Sequence, residues 1–451
     1  MSTIIGRVFA TVFHHSNQVS WFNVMAFWAG TRNQDREGRV MQTAAMVPVM
    51  QQSVRRQELA VARVMEAPAT DLQVELIEDY ESFLRLEPVW NRLVDEAGID
   101  HPFIRHEWVR TWWDCFKPDG KLFIVLVTEG LKPVALAPLM LDRGRVYGCP
   151  VRRLRGIANV YTERYDFIVT RRPEEACRAI WKFVASRSRE WDVLELRQLP
   201  PGAHALQTIP RSAIEDRFLV GTWGSSQGPY IPIVRTWDEY GNGLSRKYLS
   251  SLRGRLKGLS RLGPVRHEVV QGGEGLSQAV DDALRLEGAA WKQKAGTAIV
   301  CNQGTEAFYR RLMLSAAQQG WLRLYFLVVK DERVSVQITL LFRNKLYILK
   351  SGYDPRFATS APSHLLCWRL LEEAWSLKYD EVDLLGAVEP WKMYWTDDVR
   401  PHSWLFVFPS RPSCRLLYRI KFSLLPRIRS NIVFRLLLKG VTRLGLKVHD
   451  E

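Results

Sequence analysis

A chain of 451 residues with 47% hydrophobic and 25% charged residues lies within the globular range and is long enough for two or three domains. Its longest apolar stretch, VSWFNVMAFWAG from Val19 to Gly30, is too short to span a bilayer and holds Ser20 and Asn23, which argues against a spanning helix. Six cysteines without a C-x-x-C pair fit neither a disulfide framework nor a zinc site, and His14, His15, Asn17 and Gln18 interrupt any secretory-signal order, so a cytoplasmic chain with reduced thiols and no metal is expected.

The net charge of +15 is unevenly placed: from Arg411 to Glu451 ten Lys or Arg face two acids, a net +8, which leaves +7 for the preceding 410 residues. Residues 1–71 show no sustained periodicity and end in an Ala-rich polar connector, so they are read as a poorly ordered N-terminal extension.

After Leu72 the pattern changes. VELIEDY reads as a strand, and Phe83, Leu84, Leu86, Val89, Trp90, Leu93 and Val94 fall on one side of a helix over 80–95. A helix over 106–116, a hairpin of LFIVLVTEG and VALAPLML, a strand YDFIVT, a helix over 173–189 and a strand DVLELRQL complete a first mixed α/β domain, 72–225. The second, 226–410, is read as opening on the strand YIPIV and a basic helical region over 237–262. It continues through VRHEVV, helices over 275–290 and 304–319, the meander LRLYFLVV, VSVQITLLF and KLYILKSGYD, a helix over 364–377 and the strand EVDLL. Helix pairs feeding a meander, then strand, helix and strand, occur twice, which predicts tandem copies of one unit.

Several segments, in this order, carry a resemblance: HPFIRHEWVRTWWDCF with VALAPLML, YTERYDFIV, SRKYLSSLRGRLKGLSRLGPVRHEVV, RLEGAAWK, QQGWLRLYFLVV, YILKSGYDPRFATSAPSHLL and DLLGAVEPWKMYW. Over roughly 72–409 the chain resembles CelD/BcsL-type GNAT acyltransferases associated with cellulose and exopolysaccharide synthesis, which are similar to the FemAB group of tandem-GNAT transferases. The resemblance implies an α/β (α+β) fold of two tandem GNAT-like domains, each a mixed, mostly antiparallel sheet flanked by helices. It also implies an acyltransferase using acetyl-CoA or another acyl-CoA, without a metal, on a glycan or lipid-linked sugar acceptor.

Such chemistry needs backbone amides at a helix start for the pyrophosphate, an open strand edge for the pantetheine arm and a base near the nucleophile. SAPSHLL opens a helix directly after the last meander strand, so Ser360, Ser363 and His364 are candidate donor-binding residues, with Lys350 on the strand bordering the cleft. The same turn also reads as an ordinary N-cap with Pro362 in the first turn. The family pattern there is Ser-Pro-Gly-His, from which Ala361 and Ser363 depart.

In DLLGAVEPWKMYW, Glu389 or Asp383 is the expected base, and Lys392 either contacts substrate or pairs with Glu389 on a loop. Tyr353 at the strand end is placed to protonate a leaving thiolate. Glu287 and Trp291 share a helix face that would line an acceptor groove, followed by Lys292. In the first domain Tyr161, Arg164, Tyr165 and Asp166 form a polar cluster assigned to the acceptor.

Gly224, Ser226 and Gly228 match G-x-S-x-G but precede a strand instead of a helix, which excludes a nucleophile elbow. The basic run Arg246, Lys247, Arg253, Arg255, Lys257 and Arg261 lacks a recognition-helix context, so no specific nucleic acid is expected. In the tail, 411–451, leucines and isoleucines alternate with basic residues on both sides of Pro426, a pattern suited to the anionic inner face of the cytoplasmic membrane or to packing on the body. Two rivals to acyl-CoA chemistry follow: a non-catalytic, membrane-docked scaffold of a polysaccharide-synthesis complex, and a FemAB-like transferase using aminoacyl-tRNA.

Overall fold

The computed structural model describes residues 71–116, 120–146, 148–289 and 298–424. From Leu72 onward they belong to a single compact unit. Residues 1–70 of the extension, Trp291, Lys292 and the tail from 425 on lie outside the described residues.

The first half runs β1 (Leu72–Ile77), α1 (Tyr80–Arg85), α2 (Glu87–Glu96), α3 (His106–Phe116), β2 (Lys121–Glu129), β3 (Lys132–Val146), β4 (Cys149–Gly156), β5 (Ile168–Val169), α4 (Pro173–Ser186), β6 (Val193–Leu199), α5 (His204–Glu215) and β7 (Leu219–Gly224). The second runs β8 (Gly228–Pro232), α6 (Trp237–Gly243), α7 (Arg246–Ser260), β9 (Val265–Val270), α8 (Leu276–Gly288), α9 (Gln303–Gln318), β10 (Leu322–Val329), β11 (Glu332–Phe342), β12 (Lys345–Tyr353), α10 (Pro362–Ser376), β13 (Glu381–Asp383), β14 (Val399–Arg400), β15 (Ser403–Phe408) and α11 (Pro412–Arg419).

Local chemistry explains where these elements start and stop. The expected helix over 80–95 is two helices, because Asp79 caps the first through Ser82 N and Pro88 can only occupy the opening turn of the second. The basic region divides likewise: Thr236 and Glu239 form a capping box at α6, and Ser245 accepts from Tyr248 N to begin α7. YDFIVT contributes only the two-residue β5.

Two mostly antiparallel sheets result, ordered β1-β2-β3-β4-β6-β15-β7, with β5 beside β3, and β14-β8-β13-β12-β11-β10-β9. Each contains one parallel pair, β4 with β6 and β12 with β13. The first also takes a strand from beyond the expected boundary at 225. β15, expected in the second domain, lies between β6 and β7 of the first sheet. β8 is not the first strand of the second copy; it pairs with the far side of β13, and VRHEVV (β9) takes the first-strand place beside β10.

One apolar core joins the halves. Trp90, Trp108 and Trp112 from α2 and α3 share it with Phe308 and Leu312 from α9 and Leu324, Ile338 and Leu340 of the second sheet. The Trp108 and Phe308 rings meet edge to face at 5.3 Å, and Phe103 and Tyr347 at 5.7 Å. A separate core under α4 and α5 includes Leu405 and Val407 of β15, so the first half is incomplete without a strand that follows it by about 180 residues. Leu405→Ala, at a fully buried position, should cost about 2–5 kcal/mol in denaturant unfolding monitored through the first-half tryptophans; a cost below ~0.5 kcal/mol would contradict the exchange.

Candidate active site

The parallel pair β12/β13 holds together only from Lys345 opposite Glu381 to Tyr347 opposite Asp383. Beyond that point the chain after β13 turns away and the β12/β13 ladder ends, while β12 runs on to Tyr353. In the same place β12 carries a bulge: Ile338 faces Lys350 and Thr339 faces Ile348, so Leu349 is the extra residue. A bulge frees a backbone amide and re-aims neighbouring side chains. The turn after β13 is strained as well, with Leu385 at φ +51 and Gly386 at φ +61, a left-handed conformation costly for leucine.

Into this opening the first half inserts Glu163. Lys392, Asp383, Lys350 and the Gly386 backbone act on its carboxylate electrostatically. Burial raises its pKa above the ordinary carboxylate value and Asp383 adds to the rise, while Lys392, Lys350 and the Gly386 N–H oppose it. Lys350 also lies over the Tyr161 ring, its Nζ 5.1 Å from the centroid. Lys392 is buried and donates to the carbonyls of Leu385 at 2.7 Å and Ala387 at 3.0 Å, with Glu389 3.5 Å away. A carboxylate between two ammonium groups at the mouth of a split strand pair can take a proton from a nucleophile.

The equivalent opening in the first half is closed. Beyond Arg155 opposite Glu195, β4 and β6 part around Tyr165, whose hydroxyl donates to Pro138 O at 2.9 Å. Gly156 is obligatory here, since a Cβ would sit 2.6 Å from the Tyr165 ring.

Asp383, expected as a base, is instead a buried clamp. It pairs with Arg164 from the first half and with Arg400 at 2.9 Å, and accepts from Leu385 N at 2.9 Å. A carboxylate so engaged holds the halves and the strained turn in place.

Glu389 is half-exposed and accepts from Trp391 Nε1 at 2.7 Å, which makes it the outer partner of Lys392. Tyr165 and Asp166 are not acceptor groups facing this opening: the first is the plug just described, and the second caps α5 through His204 N at 2.6 Å and Ala205 N at 3.0 Å. Glu287 is buried and accepts from Ile299 N at 2.8 Å. Its helix presses so closely on β12 that a Cβ on Gly352 would lie 2.4 Å from Glu287 Cα. Tyr353 ends β12 opposite Ser335.

At the start of α10, Ser363 Oγ lies 3.2 Å from Ser335 Oγ, so its side chain points inward against the sheet. The outer side of that turn is therefore not blocked by the residue standing in place of the family's glycine. Ser360 closes the short turn before α10, and His364 Nδ1 lies 2.7 Å from Tyr248 Oη of α7. Arg255 of the same helix donates to Thr359 O at 3.0 Å, which brings α7 against the turn. Among the described residues no cluster of His, Cys, Asp or Glu could hold a metal, and no helix is long and apolar enough to cross a membrane.

Replacing Asp383 by Asn would leave the buried Arg164 guanidinium short of its counter-charge, while Arg400 keeps Glu381. The variant should lose about 3–5 kcal/mol in urea unfolding; a fully stable Asp383→Asn that lacks only turnover would restore it as the base.

Residues 246–393 match the acetyltransferase (GNAT) domain family. No curated protein matches the sequence. Among solved structures the chain is similar to FemX, at 10% identity over 76% of this chain and 100% of that one, with a TM-score of 0.49. It is also similar to the C-terminal domain of a putative lysylphosphatidylglycerol synthetase from Agrobacterium fabrum, at 13% identity, 72% and 94% coverage and a TM-score of 0.44. A third is a tandem GNAT protein from the clavulanic acid biosynthesis pathway, at 13%, 76% and 100%, with a TM-score of 0.42. The chain thus carries, from 246 to 393, an acetyltransferase domain of the GNAT type, and it is an acyltransferase.

Proposed function

We propose that the protein transfers an acyl group from acyl-CoA to an amine or hydroxyl of a sugar or lipid-linked glycan precursor in exopolysaccharide synthesis, with Glu163 as the general base. The observation that supports the reading is the half-buried Glu163 carboxylate of one half, whose pKa is raised beside the split β12/β13 pair of the other, with Lys350 and Lys392 acting on it. The glycan acceptor rests on the sequence resemblance.

The acyl donor fits what the chain offers: the part of β12 past the end of β13, the bulge at Leu349, and the start of α10 with Ser363 turned inward. The acceptor's N–H or O–H proton passes to Glu163 as the nucleophile attacks the thioester carbon; the C–S bond then breaks, and the thiolate takes a proton, for which Tyr353 stands at the strand end. A second reading is favoured by α7, where Lys247, Arg253 and Lys257 are exposed and have no ion-pair partner among the described residues. Such a surface suits a longer polyanion, that is, an aminoacyl-tRNA donor. Calorimetry with acetyl-CoA and a longer acyl-CoA separates the two, since the first reading requires binding.

The base assignment has its own signature. Because the folded pKa of Glu163 is raised, stability is lost as pH climbs from the unfolded carboxylate value through the folded one. Glu163→Gln should therefore melt at the same temperature or higher, bind acyl-CoA unchanged and lower kcat by about 10²–10⁴. It should also remove an acid limb lying above the ordinary carboxylate range from the kcat/KM profile. A variant with normal kcat and an unchanged profile would place the base elsewhere.

A further inference from the structure

The last helix, α11, is seated on the first sheet by one side only. With the wider turn that continues it from Ile420 to Leu424, it buries Cys414, Leu417 and Lys421 and packs Tyr418 and Phe422 against Phe406, Phe408 and Trp223. The Lys421 ammonium lies over the Trp223 ring, its Nζ 3.6 Å from the centroid, and a Cβ on Gly221 would run into the Phe422 ring. This inner side meets one of the two uses open to the amphipathic tail, packing on the body.

The outer side carries a second apolar row. Leu416 and Leu424 are 59% and 51% exposed, and Ile420, half-buried, lies between them, so the three follow at i, i+4 and i+8. Arg415 and Arg419 run beside this row, exposed and without an ion-pair partner among the described residues, whereas Arg411 at the start of α11 is matched by Asp192 at 2.8 Å. No Asp or Glu occurs from Arg411 to His449. Arg145 adds another exposed guanidinium, near the end of β3 and next to Val146, which packs in the same cluster under α11.

The combination decides the partner. A soluble polyanion would engage the arginines and leave the leucines in water. An acidic protein would have to present apolar and acidic groups in register with a single helix face, whereas a bilayer with anionic headgroups offers both without any register. The sequence beyond Leu424 keeps the same composition, with Arg427, Arg429, Arg435, Lys439, Arg443 and Lys447 set among leucines, isoleucines and valines.

We propose that the outer side of α11 docks on an anionic lipid bilayer, with Leu416, Ile420 and Leu424 entering the headgroup layer and Arg415, Arg419 and Arg145 meeting lipid phosphates. The inference stands apart from the acyl-transfer reading, since it needs neither donor nor acceptor.

The test is co-sedimentation of the full chain with vesicles of phosphatidylcholine alone and of phosphatidylcholine with about 30 mol% phosphatidylglycerol. Partitioning should be at least about tenfold stronger on the anionic vesicles at low salt, and should weaken in about 0.5 M sodium chloride. Leu416→Ser with Leu424→Ser, and separately Arg415→Gln with Arg419→Gln, should each reduce it about fivefold or more. Both doubly substituted proteins should keep the parent melting temperature, because the replaced side chains are exposed. Equal partitioning on the two vesicles would overturn the inference. So would a serine protein that binds like the parent, since the contact would then be charge alone, as with any polyanion. A serine protein melting more than ~3 °C lower, or one that has lost a dimer the parent forms, would show the row covered by this chain or by a second copy and would overturn it as well.

Discussion

The arrangement depends on one buried carboxylate shared by two arginines. Asp383 ends the short strand at which the second sheet splits, and it pairs with Arg164 from the first half and Arg400 from the segment that returns to the first sheet. Ion pairs of this kind add little net stability over an apolar substitute, but breaking one is expensive because the remaining charge stays buried. The clamp therefore acts through geometry. It fixes Arg164, and so the backbone that carries Glu163; through Leu385 N it also fixes the left-handed turn at Leu385 and Gly386.

The strand exchange follows the same logic. β15 pairs beyond β6, so the second half supplies a strand to the first sheet. The first half cannot then close its sheet alone, and the opening between the halves is held by the returning strand instead of floating on a linker. Tyr165 fills one split strand pair while the other stays lined by charge, so two related units have different fates.

The doubled element order, the helix pairs and both meanders were legible from periodicity, because local apolar patterning is what places them. The exchange was not: SWLFVF alternates like any half-buried strand, and nothing local tells it to return across the expected boundary. YIPIV was recognised as a strand but placed as the first of its copy, since chain order alone does not give sheet order. Lys350 and Lys392, singled out from their segments, are the two lysines that act on Glu163. Glu163 was passed over although Tyr161, Arg164, Tyr165 and Asp166 around it were noted, for a physical reason: its partners lie in the other half of the chain. Asp383 drew attention as a strand-end carboxylate, and only the two arginines that reach it, one from each side in sequence, show it to be a clamp.

The central claim is that donor chemistry is confined to the split strand pair of the second half, the first being plugged. Hydrogen–deuterium exchange with and without saturating acetyl-CoA tests it most directly. Amides over 348–353 and 360–365 should slow together on addition of the donor, while those over 154–160 exchange as before. Protection appearing at 154–160 instead, or nowhere along β12 and the start of α10, would contradict the account.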